Sequence, residues 1–186
     1  MQSLSHWFIR IASTRLTVLC LLVFLAFTAL ILPGQAQQAA LRSAGSGSPD
    51  LSLMYTDDDL YQMAEVYGEA GRAEYIHERF TFDLAFPLIY SAFLLTAASW
   101  LIRKAGFAGT RMQWLNLVPI LAFCFDLLEN SLASLVLARY PELTPFAAQL
   151  APAMTFLKWT SLGVSFLILI VGVAFVVTGK RGAGKA

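Results

Sequence analysis

The chain has 186 residues, of which 58% are hydrophobic and 13% are charged, and its formal net charge is +1. Because soluble domains carry about 25% charged residues, this composition argues against a soluble globular protein. The sequence also has no basic patch with interleaved aromatic residues, so nucleic acid is not an expected partner.

Four long apolar segments dominate the chain and predict four transmembrane helices. A helix needs about 20 mostly apolar residues to cross a bilayer, and a soluble bundle would need a broad polar face on each helix. The sequence therefore predicts an all-α integral membrane protein, a four-transmembrane-helix bundle with a short helical extracytoplasmic loop domain. The predicted helices, TM1 to TM4, span residues 16–33, 80–102, 113–138 and 149–178.

The first apolar segment has a competing interpretation as a cleaved signal peptide. Arg10 and Arg15 would form its basic region, and residues 34–36 offer small residues at a cleavage site. However, the apolar run of 18 residues in TM1 is longer than the roughly 7–15 typical of a signal peptide. We therefore predict a membrane helix. Cleavage of residues 1–36, which would leave three helices, stays as the alternative.

The segments between the apolar helices differ in charge from one side of the membrane to the other. Residues 1–15, 103–112 and 179–186 together carry eight basic residues and no acidic one. The segments 34–79 and 139–148 carry four basic and nine acidic residues. Cytoplasmic loops are enriched in Lys and Arg. The pattern thus predicts a multi-pass protein of the plasma (inner) membrane, with both termini cytoplasmic and the loop 34–79 extracytoplasmic.

The large outer loop has two parts. Residues 34–50 are rich in Gly, Ser and Gln, which predicts a flexible linker, whereas residues 51–79 predict amphipathic helices. Thr56, followed by three aspartates, is typical of a helix N-cap. We expect Gly68 and Gly71 to break this helix, and a second helix to continue directly into TM2.

Metal and cofactor motifs are weak or missing in the sequence. Glu74, His77 and Glu78 share one helix face, but three ligands on one surface helix without a partner motif are poor evidence for a metal site. Cys20 and Cys124 both lie in apolar segments, where cysteine behaves as a small hydrophobe. No nucleotide-binding, redox or hydrolase motif occurs. The sequence therefore predicts neither a cofactor nor a metal.

Four ionisable residues lie inside the apolar segments: Asp83, Asp126, Glu129 and Lys158. Each costs about 2.5–3.5 kcal/mol to insert, so such residues tend to face the bundle interior and to pair. Glu129 and Lys158 are each nine residues from the outer end of their predicted helix, which is about 13 Å at 1.5 Å per residue. Asp126 is one turn deeper. The shared depth predicts that Glu129 and Lys158 meet.

These residues also share helix faces with other polar side chains. Asp126, Glu129 and Asn130 are spaced i, i+3 and i+4 on TM3, and Asp83 and Tyr90 share a face of TM2. We predict one polar cluster beneath the outer loop, with acid/base roles for the first set and ligand contacts for the second. The acid/base set is Asp126, Glu129 and Lys158, and the contact set is Asp83, Tyr90, Asn130 and Trp159.

The charges in this predicted cluster do not balance, because three acids face one Lys. Either Arg79, which is at i−4 from Asp83, reaches in from the rim, or one carboxyl keeps its proton. A purely structural interpretation also exists, in which Glu129 and Lys158 form an ion pair that only fixes helix packing.

Three functions fit the predicted architecture. The first is binding of a lipid or other apolar molecule at the cluster, with or without acid/base chemistry on it. The second is a structural or accessory subunit whose outer loop binds a membrane partner. The third is proton- or ion-coupled transport, for which four helices would have to assemble into a homo-oligomer. The sequence leaves open whether the protein is an enzyme.

Overall fold

The computed structural model describes residues 2–43, 47–49 and 52–179, and within these ranges the chain forms helices and no strand. A 3-10 helix, Arg111–Leu117, leads into the sixth α-helix. The α-helices are α1 (Gln2–Ile11), α2 (Thr14–Leu30), α3 (Leu32–Ser43), α4 (Asp57–Arg79), α5 (Phe82–Lys104), α6 (Val118–Arg139) and α7 (Pro145–Val177).

Four helical stretches are long and apolar enough to cross a membrane, as the sequence predicts. They are Thr14–Ser43, Asp57–Lys104, Arg111–Arg139 and Pro145–Val177. This arrangement is compatible with a multi-pass membrane protein. The stretches differ in their packing. Helix α2 buries none of its residues within the protein, whereas about half of the most apolar part of Asp57–Lys104 is buried.

The prediction of a flexible linker over residues 34–50 is wrong for its first part. The structure places these residues in α3, which continues to Ser43. The segment is rich in Ala, Gln and Leu, which have high helix propensity, and Arg42 at its end pairs with Glu78 of α4. Residues 44–46 and 50, also assigned to the linker, lie outside the described residues.

Helix α4 begins as the sequence predicts. The backbone N–H of Asp59 donates to the Thr56 hydroxyl at 3.2 Å, and the Thr56 N–H donates to the Asp59 carboxylate at 2.8 Å, which together form a capping box. These bonds from the Thr56 backbone and hydroxyl lower the pKa of Asp59. The cap therefore stabilises the helix at neutral pH, and this contribution is lost as the pH falls through the lowered pKa.

The kink predicted in the outer loop is at Gly68, where φ is 63° and ψ is −179°, while Gly71 lies within the helix that follows. The Arg72 guanidinium donates to the Ala64 carbonyl at 2.9 Å and so ties the two halves of α4 together. The expected direct continuation into TM2 is interrupted by two residues, since α4 ends at Arg79 and α5 begins at Phe82. At this break Phe80 has φ −101° and ψ 7°, and the Thr81 N–H donates to the Glu78 carbonyl at 3.2 Å, a bond over three residues and not four.

Gly68 provides a direct test of this kink. Its backbone conformation is accessible essentially to glycine alone, and it costs other residues about 1–3 kcal/mol. We expect Gly68→Ala to lower the free energy of unfolding by that amount, measured by thermal unfolding in detergent. The matched control is Gly163→Ala in α7, where an added Cβ meets no atom within 4 Å. Equal stability of the two variants would show that the kink does not require glycine.

The structure divides into two compact units. The first comprises residues 1–25, 88–122 and 160–186. In it, Phe24 of α2 stacks on Phe93 of α5 at 5.2 Å between ring centroids, and Gly172 of α7 lies so close to Leu101 of α5 that an added Cβ would be 3.0 Å from it. Stacked rings and a small residue at a helix crossing are typical of closely packed apolar helices.

The second unit comprises residues 26–87 and 123–159. Its hydrophobic core joins α4 to α6 and α7, whose contributions include alanines that let helices approach closely. The core consists of Leu60, Met63, Ala64, Tyr67 and Tyr75 from α4, Ala133, Val136 and Leu137 from α6, and Ala147, Ala148 and Ala151 from α7. This packing fixes α4 against the C-terminal half of α6 and the N-terminal half of α7.

A candidate acid/base site on two apolar helices

Helix α6 carries three buried polar residues on one face within the second unit. The helical spacing of Asp126, Glu129 and Asn130 places them together, and all three are buried, with Glu129 fully inaccessible to solvent. Lys158 of α7 is also buried. The structure therefore brings together four of the seven sequence-predicted residues, in two predominantly apolar helices. We call these four residues the α6–α7 cluster.

The contacts in the α6–α7 cluster centre on the ammonium group of Lys158. Its Nζ forms a close ion pair with the Glu129 carboxylate and lies 3.9 Å from Oδ1 of Asp126. The Asn130 side-chain amide donates to the same Asp126 oxygen at 3.3 Å. Two carboxyls thus face one ammonium, and the cluster carries one excess negative charge when every group is ionised.

Two buried polar atoms on the same side of α6 have no hydrogen-bond partner among the described residues. They are Oδ1 of Asn130 and the hydroxyl of Ser134, one turn further along the helix. A buried acceptor without a partner costs about 1–3 kcal/mol. The face of α6 that carries the cluster therefore has an amide oxygen and a hydroxyl to which the described residues make no hydrogen bond.

Helix α4 and the segment before it close one end of the α6–α7 cluster. Thr155, which is fully buried one turn before Lys158, lies 3.1 Å from the Tyr55 hydroxyl. The Tyr61 hydroxyl accepts the Thr144 backbone N–H at 2.8 Å, just before α7 begins. Together with the apolar core above, these bonds hold α4 over the helix ends, as a roof between the cluster and this end of the unit.

Trp159 connects the α6–α7 cluster to the outer surface of α7. Lys158 Nζ lies 5.4 Å from the centroid of the Trp159 ring, within the range of a cation–π interaction. The Trp159 residue itself is 37% exposed. Trp159 thus contacts the buried ammonium and is itself partly exposed on the surface of α7.

Asp83 and Tyr90, two further residues of the predicted cluster, lie on α5. Asp83 pairs with Arg79 at 2.5 Å, the i−4 partner considered in the sequence. Arg79 in turn lies 3.9 Å from Glu78, so the Asp83 charge is balanced within a chain of ion pairs. Tyr90 is buried and belongs to the first unit.

Arg42 is a further polar centre that the sequence did not reveal. Its guanidinium pairs with Glu78 at 2.6 Å and lies 3.8 Å from Glu74, so both carboxylates of the considered metal site are engaged by a cation. An open pocket of about 330 Å³ lies between α3 and α4 beside Arg42. The available signal in the sequence was the i, i+4 spacing of Glu74 and Glu78, which can share one cation. The prediction of a flexible linker gave Arg42 no fixed position from which to reach them.

Tyr75 lies between two guanidinium groups of this network. It is fully buried, and the charged carbons of Arg42 and Arg79 lie 5.8 and 4.5 Å from its ring centroid. Both distances allow cation–π contact. The ring therefore links the ion pairs of α3 and α4 to the apolar core of the second unit.

Comparison of the chain with protein-family models, with curated proteins and with solved structures finds no match. The functional interpretation consequently depends on the geometry and charge of the α6–α7 cluster.

Proposed function

We propose that the protein is a multi-pass membrane protein that binds a lipid or other apolar molecule at the α6–α7 cluster and exchanges a proton with it. In this proposal both termini are cytoplasmic, and α4 lies on the extracytoplasmic side of the plasma membrane. The observation that carries the proposal is that two buried carboxyls face one ammonium within two predominantly apolar helices.

The excess carboxyl supports acid/base work over simple packing. An ion pair that only fixes two helices needs Glu129 and Lys158, and a further buried acid adds an insertion cost without improving that pair. Asp126 is at the longer distance from the ammonium and also accepts from Asn130. We assign Asp126 the role of proton donor and acceptor, while Lys158 and Glu129 form the ion pair beside it.

Charge and hydrogen-bonding capacity also indicate the polar group of the ligand. A carboxylate or phosphate would add negative charge to a buried site that already has an excess of it. A hydroxyl or amine can donate to Oδ1 of Asn130 and exchange hydrogen bonds with Ser134, both of which lack partners among the described residues. The proposed ligand is therefore an apolar molecule with a hydroxyl or amine group, which reaches the site from the bilayer beside Trp159.

The closed end of the cluster supports proton transfer at a site from which water is excluded. Helix α4 covers this end through the buried core, so a proton on Asp126 exchanges with a bound ligand in preference to bulk water. Proton transfer by a positioned carboxyl suits isomerisation or hydration of an apolar substrate.

Complementation tests this proposal in cells. In a strain that lacks the chromosomal gene, we expect Glu129→Gln and Lys158→Met to accumulate in the membrane and to abolish function, because each removes one half of the ion pair that organises the site. Ser131→Ala, an exposed position on α6, is the control and should complement fully. Full complementation by both cluster variants would contradict the proposal.

Two other functions have some support and can be distinguished. Proton-coupled transport by an oligomer is favoured by the same excess carboxyl, and it predicts proton flux in proteoliposomes. An accessory role is favoured by exposed apolar side chains at the α6–α7 connection and before α4, namely Met54, Leu143 and Phe146. That role predicts co-purification with a fixed partner, unchanged by Glu129→Gln.

A further inference from the structure

The N-terminal helix α1 is held firmly in the first unit. The Ser5 hydroxyl donates to the Asn116 side-chain oxygen at 2.8 Å, and the Asn116 amide donates back to the Ser5 carbonyl at 3.2 Å. At the other end of α1, the Arg103 guanidinium donates to the Ile9 carbonyl at 3.1 Å. Because Ser5 and Ile9 are both buried, one side of α1 faces the protein along its length.

The remaining surface of α1 has two chemically different sides. At about 100° per residue, Ser3, His6 and Arg10 form a polar, exposed side that is turned by roughly 110° from the buried one. An exposed apolar stripe, spaced i, i+3 and i+7, lies on the side of α1 farthest from the buried Ser5 and Ile9. The stripe consists of Leu4, Trp7 and Ile11, which are 43%, 48% and 38% exposed.

A helix with three such sides fits one position at a membrane. We propose that α1 lies in the plane of the bilayer surface and inserts the apolar stripe of Leu4, Trp7 and Ile11 between the lipid headgroups. Its buried side contacts the protein, its polar side faces water, and its third side meets lipid. Amphipathic helices bind the interface in this way, and Trp is enriched there.

The neighbouring chain supports lipid as the occupant. Helix α2 begins at Thr14, buries none of its residues and exposes Val18, Leu19 and Leu22, so the apolar stripe of α1 adjoins an apolar membrane-spanning surface. Arg10 and Arg15 lie at this junction, where they complement anionic headgroups. A helix of 10 residues is about 15 Å long, and three side chains on it are too few for a stable interface with a second copy, which buries about 800 Å² per partner.

Spin labelling tests this position. Single cysteines are introduced in a Cys20→Ala/Cys124→Ala background, labelled with a nitroxide and reconstituted in nanodiscs of phosphatidylethanolamine and phosphatidylglycerol. Collision rates are measured with oxygen, which concentrates in lipid, and with a water-soluble nickel chelate. The labelled positions are Leu4, Trp7 and Ile11 on the apolar stripe and Ser3, His6 and Arg10 on the polar side.

The proposal predicts that the labels on the apolar stripe collide with oxygen and are shielded from nickel, while the labels on the polar side show the reverse. All six positions are exposed, so labelling them should leave the fold intact, and gel filtration checks this. Nickel accessibility at all six positions would overturn the proposal, since α1 would then lie in water. Shielding of the apolar stripe from both reagents would overturn it in favour of a protein partner or a second copy.

Discussion

Replacing Lys158 with methionine is expected to lower the free energy of unfolding by about 3–5 kcal/mol, the cost of leaving a buried charge without its partner. Glu129 has no solvent-accessible surface, so water cannot compensate for the lost ammonium. The variant should still insert, because methionine is apolar. Thermal unfolding of the detergent-purified protein, followed by circular dichroism, measures the loss.

The neighbouring substitutions make this expectation specific. Glu129→Gln leaves Lys158 with the Asp126 carboxylate at 3.9 Å, so its loss of stability should be smaller. The double variant Glu129→Gln/Lys158→Met should lose less free energy of unfolding than the two single variants lose together, as expected for residues in contact. Ser131→Ala on the exposed side of α6 is the control. Wild-type stability of Lys158→Met would show that the ion pair contributes nothing, contrary to this interpretation.

Replacing Tyr75 with alanine is expected to cost a similar amount, about 3–5 kcal/mol, as for other large buried aromatic side chains. The ring is fully buried in the core that joins α4 to α6 and α7, and its faces contact the guanidinium groups of Arg42 and Arg79. Its removal leaves a cavity and takes the aromatic ring from Arg79, while Arg42 keeps Tyr67, whose ring centroid lies 5.9 Å away. The loss is measured by the same thermal unfolding experiment.

The matched control for this position is Tyr75→Phe, which keeps the ring and removes only the hydroxyl. It should retain most of the stability, because packing and cation–π contacts belong to the ring. Limited proteolysis adds a local readout, since Tyr75→Ala should expose α3 to cleavage by loosening the ion pairs of Arg42. An alanine variant as stable and as protease-resistant as wild type would mean that Tyr75 does not hold α3 and α4 together.

Much of the fold follows from the sequence through simple periodicities. Apolar length predicts the four long helices, and the Thr56 capping box and the Gly68 kink follow from local backbone chemistry. The approach of Glu129 to Lys158 could be predicted because two residues at equal depth on neighbouring apolar helices have few other partners. The i, i+4 spacing of Arg79 and Asp83 also predicts their ion pair, which forms although the helix is interrupted between them.

Other features depend on tertiary contacts that composition does not encode. Helix α3 occupies the Ala- and Gln-rich first part of the predicted linker, and Arg42 anchors it to Glu78 across 36 positions of sequence. The end of α4 at Arg79 coincides with a change of backbone conformation at Phe80, where φ is −101° and ψ is 7°, and no residue type at this position signals it in the sequence.

The central claim is that the α6–α7 cluster binds a ligand, and native mass spectrometry of the detergent-purified protein tests it most directly. We expect wild-type protein to retain an apolar molecule with a hydroxyl or amine group, and Glu129→Gln and Lys158→Met to have lost it in the same oligomeric state. Ser131→Ala should retain it. Wild-type protein without a bound molecule, or the same molecule bound equally to both cluster variants, would contradict the claim and leave Glu129 and Lys158 as a packing ion pair.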